Sequence, residues 1–182
     1  MVTIPRKSIA TATLAVSALL ASCLGGVAME LTSPDVANGK MLSLAQVNSR
    51  CGGENRSPAM AWSGAPAGTK SFALTLFDPD ARGGRGFWHW LMIDIPAGSA
   101  GLREGAGSGA GLPAGAVQSA NDFGETGYGG ACPPPGSRAH HYVFTLYAMG
   151  TPKVPETGAG TLAVYLKSHA LAAATLAGLY KR

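Results

Sequence analysis

The stretch FDPDARGGRGFWHWLMIDIP (77–96) sets two aspartates, Asp78 and Asp80, two positions apart and places His89 between Trp88 and Trp90. Further along, HHY (140–142) supplies His140, His141 and Tyr142. Imidazolium and phenol groups donate hydrogen bonds to oxyanions. Carboxylates do not accept a phosphate directly. They fix histidine tautomers, raise histidine pKa values, or accept from an amine or hydroxyl on a ligand. The same residue types can hold a divalent metal or work as acid and base, so a hydrolase or metal-dependent enzyme is the alternative. Against it, the chain has no HExxH and no nucleophile elbow, and Ser137 is the one serine near the cluster by sequence. The expected site therefore has no catalytic residues, no metal and no cofactor.

Convergence of these residues requires neighbouring strands. KSFALTLFD (70–78), GFWHWLMIDI (86–95) and HHYVFTLYAM (140–149) read as strands, with weaker signals near 30–32, 41–44 and 58–63. Period-two alternation puts Phe87, His89, Leu91 and Ile93 on one face and Trp88, Trp90 and Met92 on the other. It also groups His140, Tyr142, Phe144 and Leu146. Pro79 keeps Asp78 extended, so Asp80 points roughly the same way. If the three strands are neighbours, Asp78, Asp80, His89, His140 and Tyr142 meet at one end. The segments 96–120 and 121–138 read as long connections, and TLAVYLKSHALAAATLAGLY (161–180) as an amphipathic helix packed on the sheet. The Gly-rich 98–115 run lacks the strand-to-helix context of a phosphate cradle.

Composition bounds the rest. With 182 residues, 46% hydrophobic and 13% charged, the chain reads as one domain with a real core, and 26 glycines and 12 prolines favour a loop-rich β fold. The N-terminus carries a positive segment with Arg6 and Lys7, then the apolar IATATLAVSALLAS, the pattern of an export signal over 1–28. Cleavage after Ala28 starts the mature domain at Met29. A lipobox reading of Leu20-Ala21-Ser22-Cys23 instead makes Cys23 a lipid anchor. Either way the domain over 29–182 lies outside the cytoplasm, periplasmic or secreted, with membrane attachment only through that anchor. Without the signal, 12 Lys/Arg face 10 Asp/Glu, too balanced to imply a nucleic-acid partner. In an exported chain, Cys51 and Cys132 are either a disulfide or two buried thiols.

The constellation resembles the phosphatidylethanolamine-binding proteins, also called Raf kinase inhibitor proteins, in their bacterial branch. The resemblance is carried by GENRSP (53–58) with Trp62, by DPDA (78–81), WHW (88–90) and Ile95-Pro96, and by NDFG (121–124), GYGG (127–130), CPPPG (132–136) and HHY (140–142). It covers about residues 30–182. Arg82 and Ala131 stand where the family usually has proline. The resemblance implies an antiparallel β-sandwich with Greek-key connections, a few peripheral helices and a C-terminal helix. It also implies a small cavity for phosphate, phosphorylated headgroups or similar oxyanions. Carried over, the cavity comprises Asp78, Asp80, His89, His140 and Tyr142, closed by the Gly129, Gly130, Cys132, Pro133 and Pro134 backbone, whose N–H groups would form an anion nest. The resemblance implies a ligand binder and, from some members of the family, modulation of a protein partner.

Overall fold

The structure, a computed structural model, describes residues 1–2 and 28–182. The lipobox with Cys23, and nearly all of the expected signal, lie outside the described residues. Two antiparallel sheets make up the domain. The smaller has the order β1 (Glu30–Thr32), β2 (Met60–Ser63), β5 (Gly101–Leu102). The larger has the order β6 (Val117–Gln118), β4 (Phe87–Pro96), β3 (Ser71–Asp78), β7 (His140–Met149), β8 (Ala170–Tyr180). A single turn, α1 (Ala81–Gly84), joins β3 to β4, and the helix α2 (Ala159–His169) precedes β8.

The apolar runs explain this arrangement. β3 is buried along nearly its whole length, as a strand covered on both faces must be. One face, with Phe72, Leu74 and Leu76, packs with Trp90, Met92, Tyr142 and Phe144 against Leu31, Met60 and Trp62 of the smaller sheet. The other, with Ala73, Leu91, Ile93, Tyr147 and Met149, is covered by Val154 and by Leu162 and Leu166 of α2. β3 therefore lies in the middle of the larger sheet, between β4 and β7.

The C-terminal segment differs from the expected single helix over 161–180. The helix stops at His169, and Ala170 turns extended at φ −70° and ψ 139°. Residues 170–180 pair with β7 from Met149↔Ala170 to His140↔Tyr180. Alanine favours helix intrinsically, but pairing along β7 outweighs that preference. Small residues suit the strand, because Ala174 and Leu176 face the core and a Cβ on Gly178 would meet the Leu42 side chain at 2.4 Å. Of the weaker strand signals, 30–32 and 58–63 become β1 and β2. The 41–44 signal becomes only a bridge from Met41 to Leu179.

Candidate functional site

The turn after β3 is built on Asp78. Its Oδ1 accepts from the Asp80 and Ala81 N–H groups at 2.9 and 3.1 Å, the local capping that aspartate favours at a turn. Its Oδ2 accepts from His140 Nδ1 at 2.7 Å, across the β3–β7 pairing. Both side chains are buried, at 2% and 8% exposure. Asp80 lies further out. Its Oδ1 accepts from Arg138 at 2.7 Å, and its Oδ2 accepts from the His141 N–H and ring Nδ1, both at 2.8 Å. Burial alone would raise the Asp80 carboxyl, but those His141 and Arg138 contacts outweigh it and hold the pKa below the ordinary value.

His89 owes its position to a break in register. Leu76 pairs with Trp90, yet Phe77 pairs with Trp88, so His89 is the extra residue of a β-bulge. The bulge corrects the strict alternation expected for β4. Trp88 does lie opposite His89, its ring tilted against that of Phe77 with centres 4.3 Å apart. Trp90, however, belongs to the core on the His89 side, edge-on to Tyr128 at 5.5 Å, while Leu91 and Ile93 pack on the α2 side. The His89 ring lies among Phe87 at 4.9 Å, Phe123 at 5.3 Å and Tyr142 at 5.2 Å. Its Nδ1–H donates to the Gly129 carbonyl at 2.8 Å, which fixes the tautomer and leaves Nε2 uncommitted. Burial pushes the His89 pKa below the ordinary histidine value, outweighing the upward pull of the Gly129 carbonyl and the Asp78 charge. The carboxylates do pull the His89 pKa up, as expected, but desolvation of the imidazolium is the larger effect and sets the net direction.

These side chains enclose a cavity of about 330 Å³ at the end of the larger sheet. Asp78, Asp80, His89, Cys132, Pro133, Pro134 and His140 line it. Tyr142 does not. Its fully buried phenol packs behind His89, its oxygen makes no hydrogen bond, and burial with the nearby Asp78 charge raises its pKa so that it stays protonated. Gly129 and Gly130 are also absent from the lining. The N–H groups of Gly129, Gly130 and Ala131 face inward and are not offered to the cavity as an anion nest. Gly129 donates to His89 O at 2.8 Å, Gly130 to Asn55 Oδ1 at 2.7 Å and Ala131 to Gln46 O at 3.1 Å. Both glycines serve packing. A Cβ on Gly129 would strike the Phe123 ring at 2.6 Å, and one on Gly130 the Asn48 N and Gln46 O at 2.5 Å. Ala131 in place of proline keeps a bond that proline could not donate.

Phe87, Phe123, Arg82 and Gly83 complete the lining. Phe87 was recoverable from its shared parity with His89. Phe123 carried no signal beyond its loop motif. Cys51 and Cys132 form a disulfide with Cα atoms 5.6 Å apart. It ties the 48–55 segment to the cavity rim, and a bond spanning 81 residues is worth roughly 2–4 kcal/mol. Among the described residues, no cluster of three or more His, Cys, Asp or Glu side chains is arranged to hold a metal ion.

Comparison with known proteins adds to this geometry. The family model described as Phosphatidylethanolamine-binding protein matches residues 32–181. The YbcL protein of Escherichia coli (strain K12) is 45% identical over 161 residues, covering 85% of this chain and 88% of that one. YbhB of the same organism is 40% identical over 158 residues, covering 84% and 99%. The crystal structure of E. coli YbcL, described as a member of the mammalian PEBP family, superposes with a TM-score of 0.81 at 44% identity. It covers 86% of this chain and 99% of that one. A Mycobacterium tuberculosis relative, 39% identical over 121 residues, carries the word lipoprotein in its name.

Proposed function

The chain belongs to the phosphatidylethanolamine-binding protein family, and from that premise we propose that it is an exported protein whose cavity binds a small oxyanion, phosphate or a phosphorylated headgroup. The observation that carries this reading is the pair of histidines lining one cavity with Nδ1 already committed, His89 to Gly129 O and His140 to Asp78. Each ring has only Nε2 left for a ligand. A neutral ring offers a lone pair there, able to accept from a protonated phosphate oxygen. A protonated ring offers a charge-assisted donor. The Asp78 oxygens already accept three hydrogen bonds, which favours holding His140 over acting as a base.

Oxyanion binding then depends on pH through His89. A bound dianion stabilises the imidazolium that burial disfavours, so binding takes up a proton. Sulfate keeps its charge across pH 5.5–7.5 and is the cleaner probe. Its affinity is expected to rise continuously as pH falls, still climbing below the ordinary histidine value of about 6.5. In the ligand-free protein the same group acts oppositely. With its folded pKa depressed, the unfolded chain binds more protons below about 6.5, so His89 costs stability as pH falls. Titration calorimetry with sulfate and phosphate measures the first effect. No heat from either ion anywhere in that range would refute the reading.

Export is supported by the signal pattern over 1–28 and by the disulfide, which suits an oxidising compartment. Among the described residues, no helix is long and apolar enough to cross a membrane. Intact mass of the protein from cells is expected to show a chain starting at Met29 or a lipidated Cys23. A full-length, unprocessed chain would contradict export.

A further inference from the structure

Arg82 gives the cavity a feature of its own. Among the described residues lining the cavity it is the one arginine or lysine. Its backbone is left-handed, φ 52° and ψ 37°, a conformation that proline cannot adopt. Gly83, Gly84 and Gly86 continue the positive φ values, so the turn from β3 to β4 runs left-handed on glycines. That turn carries the guanidinium over the Phe87 ring, 4.5 Å from its centre, on the cavity wall. A guanidinium lying on an aromatic face keeps its edge N–H groups free to bind.

Its ion pair with Asp122 is weak. Arg82 reaches Asp122 Oδ2 at 3.3 Å, and that oxygen already accepts from the Trp88 N–H at 2.9 Å. The arginine side chain is 49% exposed, and such pairs contribute little. The cavity's own carboxylates are occupied elsewhere, Asp78 by His140 and Asp80 by Arg138 and His141. Arg82 thus keeps most of its donors for a ligand. It also borders an adjoining cavity lined by Arg85, Trp88 and Asp122, so a group extending from the first cavity passes it.

We propose that the site takes a small phosphate ester that also carries a carboxylate, with the histidines holding the phosphate and Arg82 pairing with the carboxylate. This rests on the oxyanion reading above. Arg82 is here a specificity residue, and a zwitterionic ethanolamine ester lacks the group it recognises.

O-Phosphoserine and phosphoethanolamine differ only by the carboxylate, so their affinity ratio isolates this contact. Calorimetry at pH 7 and low salt is expected to show about a tenfold preference for O-phosphoserine, the worth of one charge-assisted pair. Arg82→Gly fits the left-handed backbone and should bring the ratio to about twofold or less. Arg82→Lys should keep part of the preference. The ratio is the readout because removing a cation weakens every anion. Glycerophosphoserine and glycerophosphoethanolamine repeat the comparison as diesters. If the preference is larger between diesters, the source is a lipid headgroup; if larger between monoesters, a free phosphomonoester. Inorganic phosphate separates the two layers of the argument. If it binds but the esters bind alike, or Arg82→Gly keeps the preference, the carboxylate proposal is wrong. If it does not bind, the oxyanion reading fails and the proposal with it.

Discussion

Asp78→Ala is expected to cost about 3–5 kcal/mol of stability and most of the oxyanion affinity. The carboxylate is 2% exposed and accepts from the Asp80 N–H, the Ala81 N–H and His140 Nδ1. Alanine strands all three donors and frees the ring that aims Nε2 at the cavity. Asp78→Asn separates the two roles. Its amide oxygen can still close the turn, while its NH₂ facing His140 Nδ1 favours the other tautomer, with the proton on Nε2. It should cost only about 1–3 kcal/mol. Nitrogen chemical shifts of His140 should report the exchange of tautomers. Urea denaturation with calorimetry checks the pair, and an Asp78→Ala loss within about 1 kcal/mol of wild type would show that Asp78 does not organise the site.

Trp90→Ala is expected to cost a similar 3–5 kcal/mol. The ring is fully buried, its Nε1–H donates to Gln118 Oε1 at 2.5 Å, and it packs edge-on to Tyr128. Tyr128 in turn donates to Gln46 O at 2.8 Å, so the loss extends to the segment bonded to the 129–131 loop. Trp88 is partly exposed on the opposite face, so Trp88→Ala should cost distinctly less. Paired denaturation curves test the bulge as well as the packing. Equal costs would mean that both tryptophans share one environment and that β4 has no bulge at His89.

Much of the frame was legible because it rests on long apolar runs. β3, β4 and β7 are such runs with strand composition, and parity along β7 places His140 and Tyr142 on the core-facing side. Adjacency then brought Asp78, His89 and His140 together. The errors share a cause, namely partners distant in sequence. The bulge at His89 depends on how β3 pairs with β4, and period-two counting has no place for an extra residue, so Trp90 was assigned to the wrong face. The inward N–H groups of Gly129, Gly130 and Ala131 depend on His89, Asn55 and Gln46, which loop composition cannot reveal. Residues 170–180 carry a helical composition, and only the waiting edge of β7 makes them a strand.

The strand order also sets a timetable for assembly. Asp78 and His89 come from a hairpin, contacts that close quickly because little chain separates them. The partner of Asp78 arrives 62 residues later, and β7 must dock beside β3 before the ion pair exists. Until then Asp78 stays in water, and the dry site it occupies in the folded domain does not yet exist. An isolated two-stranded hairpin gains little from forming, so we expect the folding nucleus to include β7. A fragment ending before His140 should accordingly remain open, and refolding should be slow, in the millisecond-to-second range of domains dominated by non-local strand pairs.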